Sequence, residues 1–240
     1  WTVVRKTGIE QPDAIITGTG LGCIENTEKF LSAMVRDKEM YLQPSFFMQS
    51  THNTISSQIA LHLKCTNYNS TYTQQGISFE SGLFDTYLQF KLGKINTALV
   101  AGHDDMTPEY FILLDKINYW KKGKVNETIL RKSDSIGSFA GESSSCFLLE
   151  NKKTAQSICE LKAVDLFFNP TQQRIKQAIE DMLLKNNLKI NDIDIVMTGI
   201  SGDCNNDRVY RENIFPLFSA TPIAWYKYIF GESFTACGLG

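Results

Sequence analysis

Two short apolar runs, each leading into glycine, set the frame for this chain. Asp13–Thr19 (DAIITGT) enters the punctuation Gly18-Thr19-Gly20, and Asn96–Ala101 (NTALVA) enters Gly102. Runs of this length bounded by turn residues predict buried strands. Between them, His52–Leu63 carries Ile55, Ile59, Ala60 and Leu63 at helical spacing. Ile77–Leu92 carries Phe79, Leu83, Phe84, Tyr87, Leu88 and Phe90 around most of its circumference, and Gly93 then stops it. Further strands are predicted at Tyr68–Thr73, Ser144–Glu150 and Asp192–Thr198. Further helices are predicted from a cap at Asn26 through Ala33, with Glu28 in the first turn, and over Arg174–Lys185. Strands alternating with helices predict an α/β protein whose mostly parallel sheet is covered on both faces. A boundary between two α/β halves fits best near residues 151–170.

Composition removes several function classes. The 240 residues are 42% hydrophobic and 21% charged, ordinary globular usage. Lys and Arg number 24 against 26 Asp and Glu, a net charge of −2 spread along the chain, which argues against a nucleic-acid surface. No apolar run reaches the length that spans a membrane, and Trp1–Gly8 has no apolar signal core, so a cytoplasmic protein is expected. The six cysteines (23, 65, 146, 159, 204, 237) lack CxxC spacing, and the three histidines (52, 62, 103) lack metal-ligand spacing. Reduced thiols, no metal site and no cofactor are the expectation. Asn69 and Asn126 open glycosylation sequons that a cytoplasmic protein would leave unused.

Six segments, in order, resemble the β-ketoacyl synthases of the thiolase fold. They are Ile15–Gly22 (IITGTGLG), Pro44–Leu63, Gly93–Gly102 (GKINTALVAG), Ala140–Glu150 (AGESSSCFLLE), Asp192–Glu212 and Lys227–Gly238 (KYIFGESFTACG). The resemblance covers nearly the whole chain. It implies a layered α-β-α-β-α thiolase-like fold, incomplete at both ends relative to the full family. Residues 1–155 would form an N-terminal half lacking the first strand and helix, and 156–240 a partial C-terminal half. The closing glycine-rich turn of the family, which supplies oxyanion contacts, also has no counterpart.

The same comparison removes the chemistry. Condensing enzymes of this family need a thiolate at a helix N-terminus and two imidazoles. The nucleophile should fall where the strand at 68–73 meets the helix at 77–92. Ungapped counting from Gly93 puts Gly76 there, and a shift of one or two residues gives Gln75 or Gln74. The first imidazole position holds Thr198. The second, five residues after the retained Lys227, holds Glu232. No catalytic residue is expected intact, so whether the chain is an enzyme is open.

The glutamines admit two functional readings beside a structural one. Chain-length factors, the inactive partners of polyketide ketosynthases, carry glutamine in place of the cysteine. Loading-type ketosynthases with that replacement decarboxylate malonyl groups, the amide polarising a thioester carbonyl. Structurally, the two glutamines end a strand and Gly76 permits a tight turn into the helix. Ser78 and Ser81 lack a histidine partner as substitute nucleophiles. Asp104, Asp105 and Glu142 read as structural carboxylates, and His103 as structural or solvent-facing.

The resemblance therefore implies a non-catalytic partner in fatty-acid, polyketide or aryl-polyene synthesis. A decarboxylase using Gln75 with Glu232, or an orphan structural domain, are the alternatives. The polar strand at 68–73 fits pairing across a two-fold axis, in a homodimer or with an intact ketosynthase. An acyl carrier protein would meet the basic run Lys121, Lys122, Lys124, Arg131 and Lys132, which otherwise reads as a solvated loop.

Overall fold

A computed structural model describes residues 7–122 and 135–239. The chain packs as two compact units. One comprises Trp1–Pro108, Ser143–Glu160 and Phe234–Leu239; the other comprises Glu109–Glu142 and Leu161–Ser233.

The first unit is built on a four-stranded sheet of β1 (Ala14–Gly18), β2 (Tyr68–Tyr72), β3 (Thr97–Asp104) and β4 (Ser143–Glu150), in the order β2-β1-β3-β4. The first three strands are parallel and β4 is antiparallel to β3. Helices α1 (Ile24–Arg36), α2 (Pro44–Gln49) and α3 (Thr54–Leu63) lie in sequence between β1 and β2, and α4 (Ser78–Lys91) lies between β2 and β3. Side-chain alternation divides the sheet. Ala14, Ile16, Ala98 and Val100 pack with Phe79, Leu83 and Phe90 of α4. Ile15 and Leu99 pack with Cys65 and with Ile59, Ala60 and Leu63 of α3. Because β1 is buried throughout, it reads as a continuous apolar run, as a strand covered on both faces must. Full burial of Ile15 and Ile16 stabilises by about 1.5–3 kcal/mol each.

Glycine permits the close approach of α4. A Cβ on Gly18 would collide with the backbone of Ser78 and Phe79, and one on Gly82 would press on Ile16. On the α3 side, the hydroxyls of Thr17, Thr71 and Ser56 form a chain at 3.0 and 2.9 Å. Buried polar groups on that face are thereby paired.

The expected cap of α1 is corrected. The helix begins at Ile24 behind Cys23, with Glu25 in its first turn, so Asn26 lies inside it. Gly22, at φ +65°, already turns the chain, its N–H donating to the Thr19 hydroxyl at 2.9 Å. Glu28 lies beyond the first turn and accepts from the Thr107 hydroxyl.

In the second unit, α5 runs over Pro108–Lys116 from its junction with the first, and α6 over Gln172–Lys185. A two-stranded parallel pair joins β5 (Val196–Thr198) to β6 (Ile223–Trp225). Cys204–Val209 forms α7, which continues as a π-helical turn over Tyr210–Ile214, and Lys227–Phe230 forms α8. The strand expected at Asp192–Thr198 is shorter than its apolar pattern. A 3-10 turn at Ile190–Asp192 takes its first residue, whose carboxylate accepts from the Lys189 N–H at 2.8 Å, and 193–195 are irregular.

Candidate functional site

The candidate positions fall into two constellations, one in each unit. In the first unit, β2 ends and a 3-10 turn over Gln75–Ile77 leads directly into α4. Gln75 adopts φ +53°, the left-handed region that a residue with a Cβ rarely enters. Gly76 does not, and a Cβ there would meet nothing within 4 Å. The expectation that Gly76 permits the turn is therefore corrected: the strain sits one residue earlier. Such strain is characteristic of a strand-to-helix turn that presents a side chain.

Both glutamines are exposed, and Gln74 is tied into the turn. The Gln74 amide oxygen accepts from the Ser81 hydroxyl, and its N–H donates to Ser78 Oγ at 2.7 Å. The Ser78 hydroxyl in turn donates to the Gln75 carbonyl at 2.6 Å. With its proton directed at a carbonyl, Ser78 is a turn-closing group rather than a nucleophile.

Asp104, at the end of β3, is 4% exposed. Its carboxylate accepts from the Thr19 hydroxyl at 2.7 Å, from the N–H groups of Gly20 and Leu21 at 2.9 Å, and from Thr235 N–H at 3.0 Å. The structural role expected of this carboxylate is what the geometry shows. His103, beside it, is partly buried with both ring nitrogens enclosed and without a hydrogen-bond partner. Burial lowers its pKa against the upward pull of Asp104 and Asp105, so the imidazole is held neutral.

Cys23, Cys65, Cys146, Cys159 and Cys204 are free. Burial pushes the Cys146 thiol up to about 11, and burial followed by Asp105 raises that of Cys23. Both shifts disfavour a thiolate. Among the described residues, no group of three or more His, Cys, Asp and Glu side chains could share a metal ion.

In the second unit, Thr198 ends β5 almost completely buried, its hydroxyl donating to Ala224 O at 3.1 Å. Lys227, at the start of α8, and Glu232 form an ion pair of 2.6 Å, with side chains 14% and 12% exposed. Beside them stands Tyr210, the first residue of the π-helical turn. Its hydroxyl accepts from Gly199 N–H, and burial raises its pKa, with Lys227 acting in the opposite direction. Sequence reasoning missed Tyr210 because an aromatic after a short helix has no distinguishing spacing.

Two aspartates fix the loops around this group. Asp207, fully buried, accepts from Ser201 and Gly202 N–H at 2.9 Å. Asp203 caps α7 through Asn205 and Asn206 N–H, and also accepts from Gly137 N–H. Burial pushes the Asp203 pKa up, but amide donation from Asn206, Gly137 and Asn205 outweighs it and holds the carboxyl low. Of the basic run, Lys121 donates to Ser135 and Lys122 pairs with Asp115. Lys124, Arg131 and Lys132, and the sequon at Asn126, lie outside the described residues.

Neither a protein-family model nor a curated protein matches the sequence. Solved structures do. The ishigamide ketosynthase/chain length factor superposes with a TM-score of 0.77 over 98% of this chain and 62% of that one, at 18% identity. The fold is that of the ketosynthases. A type II polyketide synthase ketosynthase, in complex with its acyl-carrier protein, gives 0.73 over 96% of this chain and 62% of that one, at 11% identity. A β-ketoacyl synthase from Burkholderia phymatum STM815 gives 0.72 over 95% and 60%, at 14% identity. The chain thus spans about three-fifths of the length of these ketosynthase-fold structures. No helix among the described residues is long and apolar enough to cross a membrane.

Proposed function

We propose that this chain is a non-condensing, ketosynthase-like partner in fatty-acid, polyketide or aryl-polyene synthesis, acting in the cytoplasm. Residues 1–155 correspond in this reading to an N-terminal thiolase-like half and 156–240 to part of a C-terminal one. The observation that carries it is the strained turn at Gln75. It has the position and conformation of a residue-presenting elbow, yet it offers an amide where a condensing enzyme needs a thiolate. The closed Lys227–Glu232 pair supports the same reading, because a carboxylate neutralising a lysine cannot replace an imidazole that stabilises an enolate.

The partner is a second copy or an intact ketosynthase, with an acyl carrier protein as a further associate. What supports pairing is β2, an edge strand of mixed polar character. Light scattering tests it: a dimer at micromolar concentration, alone or with a co-expressed ketosynthase, is expected, and a monomer in both cases overturns it.

A second reading is favoured by the outward Gln75 side chain, which is the glutamine left to polarise a bound carbonyl. Incubation with a malonyl-loaded carrier protein separates the two. No carbon dioxide release is expected of the non-catalytic partner. Release that Gln75→Ala abolishes would establish decarboxylation instead.

A further inference from the structure

Gln75 holds a conformation that costs about 1–3 kcal/mol and persists only where its surroundings over-determine it. Those surroundings are specific. Its carbonyl accepts from the Ser78 hydroxyl of its own turn and from the Thr235 hydroxyl, 160 positions away in sequence. Thr235 is fully buried, and its own N–H is fixed by the Asp104 carboxylate. The same carboxylate holds Gly20, whose α-carbon lies so near the Gln75 carbonyl that a Cβ would come within 3.2 Å of it. Asp104 therefore positions two segments that bear on one peptide group.

We infer that Asp104 and Thr235 are positioning residues: through the Thr235 hydroxyl they fix the left-handed backbone of residue 75. They thereby set the direction in which any side chain at that position leaves the turn at the N-terminus of α4. The inference rests on this geometry alone and stands whether or not the proposed partner role is correct. It assigns the 3-10 turn at Phe234–Leu239 a task at the elbow beyond packing.

A reporter thiol tests it. Gln75→Cys places a sulfur at the start of a 14-residue helix, where unpaired amides lower a thiol's pKa. The pH dependence of its alkylation by iodoacetamide, resolved by peptide mass spectrometry, reads its environment. Buried Cys65, packed with Ile15 and Leu99, reports in the same digest whether the sheet is intact. In the Gln75→Cys background, Thr235→Val is expected to raise the apparent pKa. It should also slow alkylation at neutral pH by about three- to tenfold, the worth of one lost hydrogen bond. Thr235→Ser, which keeps the hydroxyl, should retain the parent profile within about twofold. Asp104→Asn should reproduce the effect of Thr235→Val.

An unchanged profile in Thr235→Val, with Cys65 still protected, overturns the inference. So does a Thr235→Ser profile as altered as that of Thr235→Val. If Asp104→Asn fails to fold, the two Thr235 variants decide the matter by themselves.

Discussion

The two units keep their shape by different means. In the first, a sheet of four strands is covered on both faces and its buried side chains are mainly aliphatic, with the Asp104 carboxylate added at the end of β3. In the second, β5 and β6 are three residues each, Met197 of β5 is 55% exposed, and the loops are held by buried carboxylates on backbone amides. Parallel strands are ordinarily buried on both faces. The contrast shows what a chain can retain by packing and what it must retain by specific hydrogen bonds. Apolar packing tolerates exchange among similar side chains, whereas a carboxylate on two amides tolerates none.

Breaking the packed unit should give the largest effect. Gly18→Ala drives a Cβ into the α4 backbone and is expected to cost about 3–5 kcal/mol, read from the urea midpoint. A loss below 1 kcal/mol would mean that α4 is free to move off the sheet. Next, Asp104→Ala leaves buried donors from Thr19, Gly20, Leu21 and Thr235 unpaired and should cost about 3 kcal/mol. Asp207→Ala in the second unit unpairs the buried amides of Ser201 and Gly202 and should cost about 2 kcal/mol. A loss below about 1 kcal/mol would mean that the second unit's loops do not depend on this carboxylate.

Glu232→Ala leaves Lys227 without that partner in a largely enclosed site. About 2 kcal/mol is expected, reduced from a fully buried pair because both side chains keep some exposure.

Legibility followed the same division. The first unit was readable because β1 and β3 are apolar runs and α4 is apolar on several sides, which are periodic signals. The second was less so. The run Asp192–Thr198 reads as a longer strand, but Asp192 belongs to the preceding turn, its carboxylate bonded to the Lys189 N–H, and the strand begins only at Val196. The turn between β2 and α4 was legible as a location and not as a conformation. Counting narrowed the elbow to residues 74–76, but no propensity places a glutamine at positive φ while an adjacent glycine stays ordinary. Thr235 could not be found at all, since its bond to residue 75 spans 160 positions.

A smaller effect concerns acid. The pKa of His103 is lowered in the folded state, so below its unfolded value of about 6.5 unfolding takes up a proton. Stability is unaffected by this group above that pH and falls as the solution is acidified below it. His103→Phe should flatten that part of the stability profile, and an unchanged slope would place the acid sensitivity elsewhere. Smallest of all, Gly76→Ala should be neutral or stabilise by about 0.5 kcal/mol, because its backbone is ordinary and its surroundings open. A marked loss would return the strain to residue 76.

The edge strand β2 has one more property. Tyr68-Asn69-Ser70-Thr71-Tyr72 reads nearly alike in either direction. Laid head to tail against itself about Ser70, it would set Tyr68 opposite Tyr72 and Asn69 opposite Thr71. Each face would then match its own mirror in bulk and polarity, so a slip of one residue would oppose rings to small hydroxyls and announce itself sterically. Were the strand to pair with a second copy, as proposed, its near-palindromic order would match like with like at every cross-strand position.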